Sequence, residues 1–228
     1  MNTLSKEKIV AVVVVLVVIF GAVGYKMYSK PKAEVAVAPV VETVAKVNGV
    51  DITKSAYESQ LASVISTLKS QGVNTDTELP KIKAQVLNDL IGNELLNQAV
   101  KASGVTATAD EVQKQVDALI AQVGGADKFA AELTKANLTE AQLRENVSKQ
   151  LTIQKYLLSK IDISTATATD AEVSKYYNDN VKGQQGAPAL KDIKEQIKQQ
   201  IINTKQQQLI AAFIESLKAT AKIETTVQ

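Results

Sequence analysis

Residues Leu87–Leu157 read LNDLIGNELLNQAVKASGVTATADEVQKQVDALIAQVGGADKFAAELTKANLTEAQLRENVSKQLTIQKYL, and their pattern decides the fold class. Apolar residues recur at helical spacing, in runs separated by capping signals. The first run starts upstream at Pro80, a residue tolerated in the opening turn of a helix. Its stripe is Ile82, Val86, Leu87, Leu90, Ile91, Leu95 and Val100, and Gly104 ends it with Lys101 in the last turn. Thr108-x-x-Glu111 and Thr139-x-x-Gln142 are capping boxes, in which a threonine and a residue three places on satisfy each other's orphan amides. The first opens a run through Val112, Val116, Leu119, Ile120 and Val123. The second opens a run through Leu143, Val147, Leu151, Gln154, Leu158 and Ile161. Between them Gly124-Gly125 breaks the chain ahead of a short helix holding Phe129 and Leu133.

Upstream, Val44–Val47 and Val50–Ile52 flank Asn48-Gly49, a strong short-range hairpin signal. The plain reading of Asn48-Gly49 is a turn and nothing more. Thr53 is placed to cap a helix carrying Tyr57, Leu61, Ile65 and Leu68, which ends near Gly72. Downstream, Ser164–Thr169 (STATAT) is a polar connector. Thr169-x-x-Glu172 is a third capping box, followed by Val173, Tyr176 and Tyr177. Val181–Pro188 (VKGQQGAP) connects to one long helix over Ala189–Lys218, with Leu190, Ile193, Ile197 and Ile201 on one face. Ile202, Leu209, Phe213 and Leu217 continue that face with drift. Ala221–Val227 (AKIETTV) reads as a last short strand.

At the other end, Ile9–Gly24 (IVAVVVVLVVIFGAVG) carries no charge, and Lys6 and Lys8 precede it. With Tyr25, Met27 and Tyr28 it approaches the roughly 17–25 residues of a membrane-spanning helix. Both tyrosines suit a membrane interface. The alternative is a cleaved signal peptide, whose apolar core is about 7–15 residues long. The length favours an uncleaved anchor over residues 1–28, entering the membrane through Ile9–Tyr25. Lysines flank both ends, so charge alone does not orient it; the short tail and large body favour a signal-anchor with the body outside the cytoplasm. Ser29–Thr43, with two prolines and mostly small residues, is an extended linker.

The composition excludes several chemistries. The chain has 228 residues, a net charge of +2, and no Cys, His or Trp. Disulfides and thiolates are therefore excluded, and so are the commonest neutral-pH base and transition-metal ligand. Aromatic residues are 4%, too few for a base-stacking platform, and the lysines form no patch interleaved with aromatics, so nucleic acid is not an expected partner. Asp89 with Glu94, and Glu140 with Glu145, lie at helical spacings common on solvated faces. Asp110-Glu111 fits a first-turn charge favoured by the helix dipole. No catalytic, cofactor or metal site is expected.

The segment VAKVNGVDITKSAYESQL (Val44–Leu61) and the ordered elements of Leu87–Leu157 resemble the helical chaperone module of SurA/PrsA-type peptidyl-prolyl isomerases. The order is a helix, a G-V-T-x-T turn, an E-V helix, a Gly-Gly break, an F-x-x-x-L helix and then LTEAQLRENV. Val44–Asn180 and Ala189–Val227 look like the two halves of that module. Relatives of this type commonly carry a parvulin isomerase domain between the halves. An independent domain needs at least about 50 residues, and VKGQQGAP cannot supply one. The resemblance implies a mainly α, multi-helix SurA N-like module over residues 44–228, closed by a small sheet of N- and C-terminal strands; the apolar run places one transmembrane helix ahead of it. It further implies that Lys222-Ile223-Glu224 pairs near Val44–Val47.

The implied activity is binding of unfolded or extended polypeptide clients outside the cytoplasm, without catalysis. Two alternatives stand beside it: a scaffold tethering one partner at the membrane, and a prolyl isomerase. Candidate client contacts are the apolar residues in excess of the core stripes: Val64, Leu96, Phe129, Leu133, Tyr156, Tyr176 and Tyr177. For each, ordinary core packing is the competing reading. The long Gln-rich helix either packs on its own body or pairs with a second copy, giving a homodimer.

Overall fold

The Asn48-Gly49 turn organises the first elements. Both residues take positive φ, 49° and 86°, a backbone that Asn and Gly adopt at little cost. Strand β1 (Thr43–Val47) therefore reverses directly into β2 (Val50–Thr53), with Val47 opposite Val50 and Ala45 opposite Ile52. The register shifts between Thr43 and Ala45, and Val44 and Ala45 are both buried. The strand begins one residue earlier than the sequence pattern suggests, because Thr43 already pairs with Thr53. The structure is a computed structural model, and it describes residues 42–226.

Seven α-helices follow among the described residues: α1 (Lys54–Ser70), α2 (Leu79–Ser103), α3 (Ala109–Val123), α4 (Ala126–Lys135), α5 (Glu140–Lys160), α6 (Asp170–Asn180) and α7 (Leu190–Ala219). The short strand β3 (Ile223–Thr225) closes the order. The fold is thus mainly helical with one small sheet, ordered β2-β1-β3. β3 runs antiparallel to β1, with Val47 opposite Ile223 and Lys46 opposite Glu224, as the resemblance implies. The membrane segment expected at Ile9–Tyr25 lies outside the described residues. Among the described residues no helix is long and apolar enough to cross a membrane.

The helix boundaries follow their caps. Thr53 accepts a hydrogen bond from the Ala56 amide at 3.1 Å. Thr108 and Thr169 form complete capping boxes with Glu111 and Glu172. Thr139 and Gln142 exchange the same reciprocal pair, at 2.9 and 3.2 Å. Gly104 ends α2 in the left-handed region at φ 70°. One connector differs from its sequence reading. Ile163–Thr165, at the start of the polar STATAT stretch, forms a 3-10 turn, because the Asp162 carboxylate accepts from the Ser164 amide at 3.0 Å and organises it.

The described residues fall into two compact units, 42–156 with 214–226, and 157–213. The first unit contains two apolar cores. One gathers Val44, Val47, Ile52, Tyr57, Val86, Ile91 and Leu95, with Leu217 and Ile223 packed against it. The other gathers Val112, Val116, Phe129 and Val147, with Leu133, Leu143 and Leu151 packed against it. In the first, α2 and the end of α7 approach so closely that a Cβ on Gly92 would lie 2.9 Å from Ile214 Cγ2. Lys218 secures that crossing, donating to Asn88 Oδ1 at 2.7 Å and pairing with Glu215 at 2.8 Å.

Candidate functional site

The two capping boxes closed by a glutamate each do a second job. In the first unit, the Glu111 carboxylate that caps α3 also accepts from Lys155 Nζ of α5, at 2.9 Å to both oxygens. The hydrogen bond from Lys155, reinforced by the Thr108 amide, holds the Glu111 carboxyl below its usual range. In the second unit, Glu172 caps α6 and pairs with Lys205 of α7 at 2.6 Å. The Lys205 hydrogen bond, then the Thr169 amide, pull Glu172 down to about 2. Lys205 also donates to the Thr167 carbonyl at 2.7 Å, and Lys194 pairs with Asp170 at 2.9 Å. A capping-box glutamate already held by its own helix is a pre-ordered acceptor for a lysine on another helix. The capping role of Glu111 and Glu172 is legible in the sequence. The partners Lys155 and Lys205 are not, because nothing local marks which lysine a distant helix will present.

The candidate client contacts fall in different surroundings. Phe129 belongs to the second core, with Leu133 packed against it. Val64 packs against the first core. Leu96 and Tyr156 are buried. Tyr176 and Tyr177 belong to the second unit and are half-buried. Tyr177 donates from its hydroxyl to the Pro188 carbonyl at 3.0 Å, which ties α6 to the chain entering α7. Tyr176 lines a shallow hollow of about 230 Å³ with Ile201, Thr204, Lys205 and Gln208. That hollow combines an aromatic ring, an aliphatic chain, hydroxyl and amide groups and an ammonium.

The carboxylates singled out in the sequence serve helices. Glu140 pairs with Arg144 and Glu145 with Lys149, each one turn apart. Asp89 is raised above the usual carboxylate range by burial, partly offset by a hydrogen bond from Gln85 and the charge of Lys218. The described residues hold no cluster of three or more metal-ligating side chains. Two buried polar residues are less expected. Gln206 of α7 is buried at 5% exposure on a helix whose polar side reads as solvated. Gln154 occupies the apolar stripe of α5, and its Nε2 is buried with no hydrogen-bond partner. Its stripe position is legible in the sequence; its unpaired amide is not.

The fold defined by these elements is that of a helical module with a termini-closed sheet. A family model described as the SurA-like N-terminal domain matches residues 1–157, and the chain belongs to that family. Foldase protein PrsA of Clostridium perfringens is 28% identical over 188 residues, spanning 77% of this chain and 52% of that protein. Foldase protein PrsA of Clostridium kluyveri is 27% identical over 201 residues, spanning 79% and 56%. The chain therefore spans about half the length of the curated relatives it matches. A solved chain from a structure of PEB4 and Cj1289, described as structurally related SurA-like chaperones of Campylobacter jejuni, superposes with a TM-score of 0.50. It is 14% identical and covers 81% of this chain and 98% of that one, a likeness of fold.

Proposed function

We propose that this protein is a folding-assisting chaperone that holds extended segments of unfolded polypeptide outside the cytoplasm and performs no catalysis of its own. The observation that carries the reading is the match of the SurA-like N-terminal domain over residues 1–157, joined to a body whose α6 and α7 are separated by nine residues, 181–189. The names of the relatives support assistance of folding. The short connector supports holding without isomerisation, since it leaves no room for an inserted domain of about 50 residues. Residues 9–25 anchor the body to the membrane, with the apolar run as the supporting feature.

Of the candidate client contacts, Tyr176 is the best placed. It sits in a hollow with mixed apolar and hydrogen-bonding groups, which suits weak binding of many sequences. A client burying apolar area there gains about 25 cal/mol per Å², a modest return that keeps the complex reversible. Val64, Leu133 and Tyr177 are half-buried and offer smaller contacts.

The test is aggregation of several chemically unfolded, unrelated clients with and without the purified chain. Delay across the clients is the expected result, weakened by Tyr176→Ser. No delay for any client would sink the proposal, and delay for a single client would favour a dedicated scaffold. A protease-coupled peptide assay checks the second half of the reading. Proline-specific acceleration above background would overturn the claim that the chain only holds.

A further inference from the structure

Asn48-Gly49 is the only Asn-Gly pair in the sequence, and the structure gives Asn48 more than a turn to hold. Its backbone amide donates to the Lys222 carbonyl at 2.8 Å. Its side-chain Oδ1 accepts from the Lys222 amide at 2.9 Å, across 174 positions of sequence. Its Nδ2 donates to Gln98 Oε1 at 2.9 Å. Gln98 in turn is fixed by donating from Nε2 to the Val47 carbonyl at 3.1 Å and to Glu94 Oε1 at 2.7 Å. Both ends of one exposed amide are thus pinned, one by the returning C-terminal segment and one by α2.

We propose that Asn48 is a deamidation site gated by folding, and that its modification loosens the closure of the sheet. The chemistry belongs to the Asn-Gly pair. The Gly49 backbone nitrogen attacks Asn48 Cγ, a C–N bond forms, and the side-chain nitrogen leaves as ammonia. Water then opens the five-membered imide at either carbonyl, giving aspartate or isoaspartate. Glycine permits this because it has no side chain to obstruct the ring. The reaction needs the Asn48 side chain to swing toward the Gly49 nitrogen and its amide nitrogen to depart. In the folded hairpin that amide is held toward Lys222 and Gln98 instead. Reaction therefore proceeds through states in which the hairpin has opened, and its rate follows their population.

The products do not fit the place they leave. An aspartate at position 48 still accepts from the Lys222 amide, but it no longer donates to Gln98. Gln98 cannot turn its amide to compensate without giving up Val47 and Glu94. Two oxygens then face each other. Isoaspartate is worse, because it routes the backbone through the side-chain carbon and lengthens a turn that sets the β1–β2 register. Asn48 makes both bonds to Lys222 at the start of the C-terminal pairing, so damage at the hairpin reaches the end of β3 nearest the turn.

The experiment incubates the full chain in mildly alkaline buffer, native and in urea, and follows aspartate and isoaspartate at position 48 by peptide mass spectrometry. The native chain is expected to react at least about tenfold more slowly than the unfolded one. Gln98→Ala removes the Nδ2 acceptor, and Lys222→Pro removes the amide that holds Oδ1. Whichever of these variants remains folded by circular dichroism is expected to react several-fold faster than the native parent. Equal rates in native and unfolded parent overturn the proposal, as does an unchanged rate in a folded variant. The native-against-urea comparison decides alone should neither variant fold.

Discussion

The two cores of the first unit are built on opposite plans. The second, around Val116 and Phe129, is assembled from consecutive helices. Its farthest ties are local by the standards of this chain: Ala107 N to Thr152 Oγ1 spans 45 positions, and Lys155 to Glu111 spans 44. The first, around Val47 and Leu95, takes Leu217, Ala221 and Ile223 from the far end of the chain, with the Asn48–Lys222 bond spanning 174 positions. Loop closure costs about 0.6 kcal/mol per doubling of length, so the longer closure costs roughly 1 kcal/mol more. The first core recovers that through a β-ladder and a tight helix crossing at Gly92; the second has capping boxes and short connections. The lesson is that one unit can hold a core closed by neighbouring segments and another closed only by the return of the far end of the chain.

The sharpest way to break the comparison is to remove the returning strand. A chain truncated after Ala219 is expected to lose hydrogen-exchange protection throughout residues 43–53 and to keep it in α3, α4 and α5. Retained protection in β1 would show that β3 is a decoration rather than a closure. Next in size is Phe129→Ala, expected to cost about 3–5 kcal/mol in urea unfolding, as large-to-small changes at buried aromatic sites do. Its effect should fall on the amides of α3–α5 first. Equal loss in the sheet would mean that the two cores open as one.

The smallest expected effect comes from acid. Glu111 is held below 4.5, so the stability it contributes is present above that value and is lost as pH falls through its folded-state value. Glu224 in the sheet is lowered by Lys222 and behaves alike. Asp89, half-buried on α2, is raised by burial, so protonating it relieves a cost as pH falls through its folded-state value. The sheet and α2 therefore carry opposed shifts, and the start of α3 an unopposed one. Hydrogen exchange followed from about pH 6 to about pH 3 should show α3 loosening before α2. The reverse order would overturn the assignment of these carboxylates.

Most of the second core was legible from sequence, and the reason is physical. A capping box, a Gly-Gly break and a 3.6-residue stripe each act within a few residues, so Thr108, Gly124 and the Val112–Val116–Leu119 face can be read in place. The hairpin was legible for the same reason, since Asn48 and Gly49 select their own backbone. The pairing of β3 with β1 was reached only through resemblance, because AKIETTV carries no local mark of its partner. The lysines that bind Glu111 and Glu172 were invisible, as were the buried amides of Gln154 and Gln206. Charged and amide side chains on long helices look alike until another helix is laid against them.

By itself, the sequence determined the helices, their caps, the hairpin and the absence of thiol and imidazole chemistry. These depend on local backbone preference and on which side chains exist. Only the tertiary structure decided that Asn48 joins three segments, that Gly92 lets two helices touch, and that Tyr176 borders a hollow while Phe129 fills a core. Those outcomes depend on which surfaces meet across long loops, and their free energy resides in contacts that no neighbouring residue can foretell.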